Sequence, residues 1–503
     1  MWFVLASTIW DPLQLFRVED PDYPGALWRS ETGAVIEGRP ADGVPHRYAV
    51  MAELDAMPAA EALEVTNADL WHADGLTGRG VKVAVFDIGW FGPEADVSEL
   101  GDYHGRDCVL HPSCEVELDL ERPREGVGTG VHGLGCAEVV RDIAPGSELY
   151  LVRVNGLTAL ENAVRWAVRE DVDIITMSMS FYNASFYDGG GPFAPLITDL
   201  VANDILLVTS AGNNARAHWS GRFVDGDADG WLDGDGEGGL WTYQLAGTKT
   251  FYLNWNQHAR CGDTDLDMQL VDVASEDRVV LGRATAVQER FGDQCEPVER
   301  LRVSVPREDW YRLEVELVTG SAADLQVDIL GRSGSFLDTQ PGRSISEPGV
   351  HAGAFTVGAV RASEYRTASV EDFSSWGPTH GGLAKPDIAG PNGLSTSAYG
   401  PAGFFGTSAS TPAVAGLIAL VMEDDPSLTP LEAARKLQGW ALNDNIGMAA
   451  PDPRWGAGKA RLPVRDGGPV PCGRRPLVLP LFLLPVWWIR RERQGTGRLG
   501  VED

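Results

Sequence analysis

The stretch GFFGTSASTPAVAG, residues 403–416, sets Ser408 just ahead of a run of small and apolar residues that reads as a tightly packed helix. A serine in that place caps a helix, or it offers a nucleophilic oxygen at the positive end of the helix dipole. A nucleophile needs a base, an acid to orient the base and a donor for the oxyanion. Three other segments carry those residue types. Asp87 ends the apolar run VKVAVFD, His132 opens a small-residue segment in GTGVHGLGCAEVVRDIAPG, and Asn213 lies in SAGNN, directly after the apolar run DILLVTSAG. Taken singly, each has an ordinary use: a turn aspartate, a surface or core histidine, a turn asparagine.

The elements that must hold these residues are legible as alternating patterns. VKVAVFD, SELYLVRV, VDIITMSMS, DILLVTSAG and AFTVGAV read as strands, and ALENAVRWAVRED reads as a helix. Strands alternating with helices predict an α/β fold, a parallel sheet flanked by helices, with ligands at the carboxyl ends of the strands. From about Arg216 to Glu347 the texture changes to acidic loops and period-two segments such as DLDMQLVDV, LRVSVP, YRLEVELV and DLQVDIL. That stretch predicts an inserted antiparallel β-sandwich domain. The expected organisation is an N-terminal segment over 1–64, a signal or propeptide remnant, then α/β parts over 65–215 and 349–462. The insert occupies 216–348 between those parts, and a linker and hydrophobic tail occupy 463–503.

In order and local sequence, VAVFDIG, HGLGCAEVVRDIAPG, SAGNN and GTSASTPAVAG resemble the active-site segments of the subtilisin-like serine proteases. DFSSWGPT and LAKPDIAGP resemble two further segments, so the likeness spans roughly residues 65–215 and 349–462. The order Asp, His, Ser is that of subtilisin itself. The resemblance implies a subtilisin-like sheet and a serine endopeptidase acting on protein or peptide substrates, with no required cofactor. It implies a triad of Asp87, His132 and Ser408, with Asn213 and the Ser408 backbone N–H as oxyanion donors. Ser178, Met179 and Ser180 would line the substrate, with Ser180 where the family usually has glycine. The chain departs from the family at Leu134 and Gly135, where a threonine and often a second histidine are usual.

Two rival readings share this fold. GTSAS also resembles the acid-active sedolisins, for which Glu138 and Asp142, one helical turn apart, would be the carboxylate pair. An inactive fold would instead leave a surface-binding protein whose insert holds the ligand. The acidic stretch DGDADGWLDGDGEGG spaces Asp225, Asp227, Asp229, Gly230 and Asp233 like the first nine positions of a calcium loop, although position twelve is Gly236. A structural calcium ion there is weighed against a solvated acidic turn.

The 72 acidic and 41 basic residues give a formal charge of −31, which argues against nucleic acid as a partner and suits an extracellular setting. Cys108 and Cys114, and Cys261 and Cys295, lie at separations a loop-closing disulfide can span. MWFVLASTIW lacks the positive region of a signal peptide. After Cys472, an apolar run from Pro476 to Ile489 contains Pro480 and Pro485 and is followed by Arg490, Arg491 and Arg493. The run is short for a membrane span. Together these features resemble a myxobacterial C-terminal sorting tail, which implies contact with a membrane or sorting machinery and a protein at the cell surface or outside, anchored through that tail.

Overall fold

The computed structural model describes residues 60–465, apart from 92–96, 119, 121–129, 235–237, 259–263, 275–277, 288–289, 292–293, 368 and 445–450, together with four short N-terminal strands. Those four, Leu15–Val18, Leu27–Ser30, Val35–Glu37 and Arg47–Tyr48, form an antiparallel sheet in sequential order that the sequence pattern did not suggest. The tail after Cys472 and residue Cys261 lie outside the described residues.

The centre of the chain is a seven-stranded parallel sheet. Its strands are β1 (Lys82–Asp87), β2 (His104–Asp107), β3 (Glu148–Arg153), β4 (Ile174–Met177), β5 (Leu206–Ser210), β6 (Ala354–Arg361) and β7 (Ile388–Asn392). Their order across the sheet is β7-β6-β5-β4-β1-β3-β2. From β1 the chain goes to the edge as β2, returns to insert β3 between β2 and β1, and then crosses to β4 on the other side of β1. This reversal opens a crevice at the carboxyl ends, where such sheets bind ligands.

Seven helices flank or precede the sheet among the described residues: α1 (Ala60–Thr66), α2 (Ala68–Ala73), α3 (His132–Ile143), α4 (Leu157–Arg169), α5 (Phe193–Ala202), α6 (Thr407–Asp424) and α7 (Pro430–Asp444). Alternate residues of β1 serve opposite faces. Val83 and Val85 share a core with α3 and α6, on which α7 packs in turn, while Ala84 and Phe86 share one with α4 and α5. Both faces are therefore covered, which is why the strands read as continuous apolar runs. Every residue of α6 from Thr407 to Val421 is buried. A helix apolar on all sides belongs in such a core, and Gly390 and Gly416 let it approach closely. A Cβ at Gly390 would stand 2.7 Å from the Ser410 carbonyl, and one at Gly416 would stand 2.7 Å from the Ile143 side chain.

Between β5 and β6 the chain makes two large antiparallel sheets and a two-stranded ribbon, Arg290–Phe291 with Gln294–Cys295. One runs His218–Arg222, Gln326–Gly331, Gly247–Trp255, Val298–Val305. The other runs Val279–Ala284, Asp265–Asp272, Asp309–Thr319, Leu240–Gln244, Ser335–Phe336. A shared core joins them, with Phe251, Leu253, Trp255 and Val303 from the first and Leu270, Tyr311 and Leu313 from the second. The Val298–Val305 strand alternates buried and outward residues, as a one-sided sheet requires.

Cys108 and Cys114 are joined by a disulfide that closes the turn after β2. No helix among the described residues is long and apolar enough to cross a membrane.

Candidate active site

Asp87 is the last residue of β1 and is fully buried. Its Oδ1 accepts the Gly89 N–H at 2.8 Å, and its Oδ2 accepts the His132 Nδ1–H at 2.6 Å. The carboxylate is thus fixed on one side by backbone and on the other by the ring. Because Nδ1 donates, the neutral ring presents Nε2 as the proton acceptor.

His132 is the first residue of α3. Gly133 explains how the helix end comes so near the strand end. A Cβ there would stand 2.8 Å from the Asp87 Cβ and 2.9 Å from the Gly89 carbonyl, while the Gly133 N–H donates to that carbonyl at 2.7 Å. The family departure at Gly135 has a local counterpart as well. The Tyr399 ring fills the space beside it, 2.9 Å from where a Cβ would sit, and stacks on Phe404, whose edge meets the His132 ring at 5.8 Å.

Ser408 is the second residue of α6, so its backbone N–H is among those a helix leaves without an internal partner. Gly406, just before the helix, has φ +100°, and a Cβ there would lie 2.9 Å from Asn213 Nδ2. Two demands, conformation and space, therefore call for glycine at that position. Asn213 is exposed, three residues past the end of β5. Its Oδ1 accepts the Thr407 N–H and the Thr407 hydroxyl, both at 3.0 Å. With the oxygen engaged, the amide's NH2 is available on the Gly406 side as a donor.

Sequence reasoning missed Thr407, Cys136 and Pro412. Thr407 sets the orientation of Asn213. Pro412 has no N–H, so the Ser408 carbonyl, four residues earlier, loses its helical partner. The Ser178 hydroxyl donates to that carbonyl at 3.1 Å and the Cys136 thiol at 3.7 Å. A proline four residues after the serine was the available signal. Ligand-capable atoms of Asp87, His132 and Cys136 lie within 4.8 Å of one another, but Asp87 and His132 are engaged with each other and burial pushes the thiol's pKa well up.

Of the substrate-lining trio, Ser178 and Met179 are buried and Ser178 turns its hydroxyl toward α6. Ser180 is partly exposed. Glu138 is engaged by Ser397, its Oε2 accepting the Ser397 N–H at 2.6 Å and its Oε1 the Ser397 hydroxyl at 2.7 Å. Burial pushes its pKa up to about 8. Carboxylate oxygens of Asp225, Asp227 and Asp229 converge within 4.8 Å, while Asp233 Oδ2 accepts the Gly226 N–H at 2.6 Å.

With the geometry in place, the sequence pattern of the peptidase S8 subtilase family matches residues 78–234 and 322–458, more than half of the chain. The chain belongs to the subtilase family. The unmatched interval, 235–321, falls within the two antiparallel sheets. Among relatives, the minor extracellular protease Vpr of Bacillus subtilis is 24% identical over 438 residues, covering 78% of this chain and 52% of Vpr. Serine protease AprX of the same organism is 35% identical over 118 residues, 19% of this chain and 26% of AprX. The chain thus spans about half or less of the length of these relatives. The structure of the Clostridium perfringens CspB protease superposes with a TM-score of 0.53 at 16% identity, covering 80% of this chain and 97% of that one, a likeness of fold.

Proposed function

We propose that this subtilase is a serine endopeptidase working through an acyl-enzyme. Ser408 attacks the peptide carbonyl, His132 Nε2 takes its proton and later delivers it to the leaving amine, and Asp87 holds the ring's tautomer. The Ser408 N–H and Asn213 Nδ2 receive the oxyanion. The observation that carries the reading is the buried 2.6 Å bond from His132 Nδ1 to Asp87, made at the strand end beside the α6 N-terminus. The sedolisin-type alternative has less support, since Glu138 is committed to Ser397. A purely binding role leaves this arrangement unexplained. The test is covalent labelling by a fluorophosphonate probe. The wild-type chain labels and Ser408→Ala does not; equal labelling of both would overturn the assignment.

Three further readings accompany this one. Protein or peptide is the substrate, and nucleic acid is not a partner, on the charge of −31. The protein works outside the cell, as the name of Vpr says of that relative, and the Cys108–Cys114 disulfide suits an oxidising setting. The segment after Cys472 acts in sorting or membrane contact. Mass spectrometry of the exported form checks this last reading: loss of the residues beyond about Cys472 supports it, and an intact C-terminus on a cytoplasmic protein refutes it. As a separate element, Asp225, Asp227 and Asp229 form an all-oxygen donor set suited to a calcium ion that would brace the insert's first loop. The peptidase chemistry itself calls for no cofactor.

A further inference from the structure

The peptidase reading places the leaving amine beside His132, above the end of β1. The acyl-side residue of the substrate then lies on the other side of Ser408, over the neighbouring ends of β4 and β5. Two segments wall that crevice: residues 178–182 after β4 and residues 211–214 after β5. Ser178 touches the Ser408 carbonyl and Asn213 touches Thr407, so the two walls flank the α6 N-terminus.

The crevice is nearly shut. Gly212 has φ +104°, and a Cβ built on it would stand 3.7 Å from the Ser180 hydroxyl and 3.1 Å from that of Ser375. Farther along, the Tyr182 hydroxyl crosses from the first wall to the second and donates to Asn214 Oδ1 at 3.0 Å. Asn214 is itself held, its Nδ2 donating to the Gly331 carbonyl at 2.9 Å and its N–H to the Ser375 hydroxyl at 3.1 Å. The sandwich backs the Tyr182 ring with Tyr252, stacked at 4.8 Å between centroids, and Arg300 lies over the outer side of Tyr252.

We infer that this crevice admits only a small acyl-side residue, glycine, alanine or serine, and that Ser180 and Tyr182 set this limit. Tyr252 is a positioning residue that acts through Tyr182. The inserted sheets thereby take part in substrate selection: a leucine or phenylalanine side chain would have to separate the Tyr182–Asn214 bond and displace a ring that Tyr252 supports. This inference rests on the peptidase reading and names the substrate class of that same site.

The test uses the full chain and a peptide series identical except for Gly, Ala, Ser, Leu or Phe before the cleaved bond, read as kcat/KM. The wild type should favour Ala over Leu and Phe by roughly 10- to 200-fold, the scale on which a pocket discriminates side-chain size. Tyr182→Ala should raise the Phe-to-Ala ratio by about tenfold or more, and Ser180→Gly and Tyr252→Ala by less. Tyr252→Phe, which keeps the stacked ring, should restore the wild-type ratio. Tyr182→Phe removes only the hydroxyl and serves if Tyr182→Ala does not fold; it too should raise the ratio. A wild-type enzyme that labels with fluorophosphonate yet cleaves after Phe as fast as after Ala would overturn the inference alone. An unchanged ratio in the foldable Tyr182 variants would do the same. A wild-type chain that neither labels nor cleaves would overturn the peptidase reading and this inference with it.

Discussion

The parallel sheet and the antiparallel sandwich bury their surfaces differently, and they bury charge differently. In the first, strands such as β4 are covered on both faces and converge on one edge, where Asp87, Ser178 and Asn213 emerge. In the second, strands alternate, and the edges carry polar groups across to the peptidase. Asn254 of the sandwich donates to the Ser185 carbonyl, and Asn183 of the peptidase donates to the Glu299 carbonyl at 2.9 Å. Glu138, buried in the parallel half, is surrounded by dipolar donors from Ser397 and Ala398. Asp328, buried in the sandwich, meets two imidazoles, His218 Nε2 at 2.9 Å and His380 Nε2 at 2.7 Å. The proposed chemistry lies at the edge of one half, and polar contacts between the halves fall to the other.

The largest effect expected is at that edge. Ser408→Ala should lower kcat by on the order of 10⁶-fold, a figure that comes from subtilisin itself, without moving the melting temperature by more than a degree or so. Asn213→Ala should cost about 10²- to 10³-fold, again a subtilisin scale, with KM little changed. Thr407→Val should cost less, because the amide stays but one of the bonds orienting it is lost. Kinetics and thermal melts on the same preparations check all three. A large melting shift in Ser408→Ala would blur the division between the two halves.

Asp328 tests the other half. Burial alone would raise its pKa, but the charges and hydrogen bonds of His218 and His380 outweigh that and hold the carboxyl well below the usual range. A depressed carboxylate pKa gives stability that is present above about pH 4, the unfolded value, and is lost only as pH falls through the lower folded value. Asp328→Ala should therefore destabilise the chain at neutral pH by roughly 3–5 kcal/mol, the cost of breaking a buried ionic contact. Because His218 belongs to the sandwich and His380 to the peptidase, one unfolding transition should become two in calorimetry. A single transition, unshifted, would show that the contact does not couple the halves.

A smaller effect is expected at the acidic loop. Bound calcium stabilises the folded state by mass action, so removing it with a chelator should lower the melting temperature of the wild type by a few degrees. Asp227→Ala should already sit at the lowered value and not respond. A wild type indifferent to both calcium and chelator would remove the ion from the account.

How much was legible follows from the same contrast. The inner strands of the parallel sheet announce themselves because burial on both faces makes them nearly continuous apolar runs, and Asp87 stands at the end of one, while His132 and Ser408 open α3 and α6. Neither edge strand gave such a signal: β2 reads HGRD and β7 reads IAGPN, and a strand paired on one side needs no apolar run. The sandwich strands were visible as alternation, yet their contacts with Tyr182, Asn214 and His380 were not, because such contacts join residues more than 50 positions apart through side chains of unremarkable type. Ser178 illustrates the limit within the site. Family likeness puts it along the substrate, while the direction of its hydroxyl depends on Pro412, 234 positions away, which leaves the Ser408 carbonyl in need of a donor.

Glu138 gives the most delicate comparison between the halves. Burial raises its carboxyl from an ordinary 4.5 to about 8, against the lowering effect of the Ser397 and Ala398 donors, and Glu99 adds to the rise. Between those two values the folded chain keeps a proton that the unfolded chain has released, so this residue's contribution to stability falls as pH rises from about 4.5 to 8 and is level beyond. Glutamine keeps an acceptor for Ser397 and has no proton to lose. The melting temperature of Glu138→Gln minus that of the wild type should thus be smallest near pH 4.5 and climb by a few degrees toward pH 8, the reverse in sign of what Asp328→Ala shows on approach to acid. Taking the difference cancels contributions from groups that do not interact with Glu138. A difference that stays flat from pH 4.5 to 8 would mean that Glu138 is ionised in the folded chain throughout. The donors on Ser397 and Ala398 would then be enough to hold a buried charge in the parallel half, and the contrast with the two-histidine arrangement of the sandwich would be one of means alone.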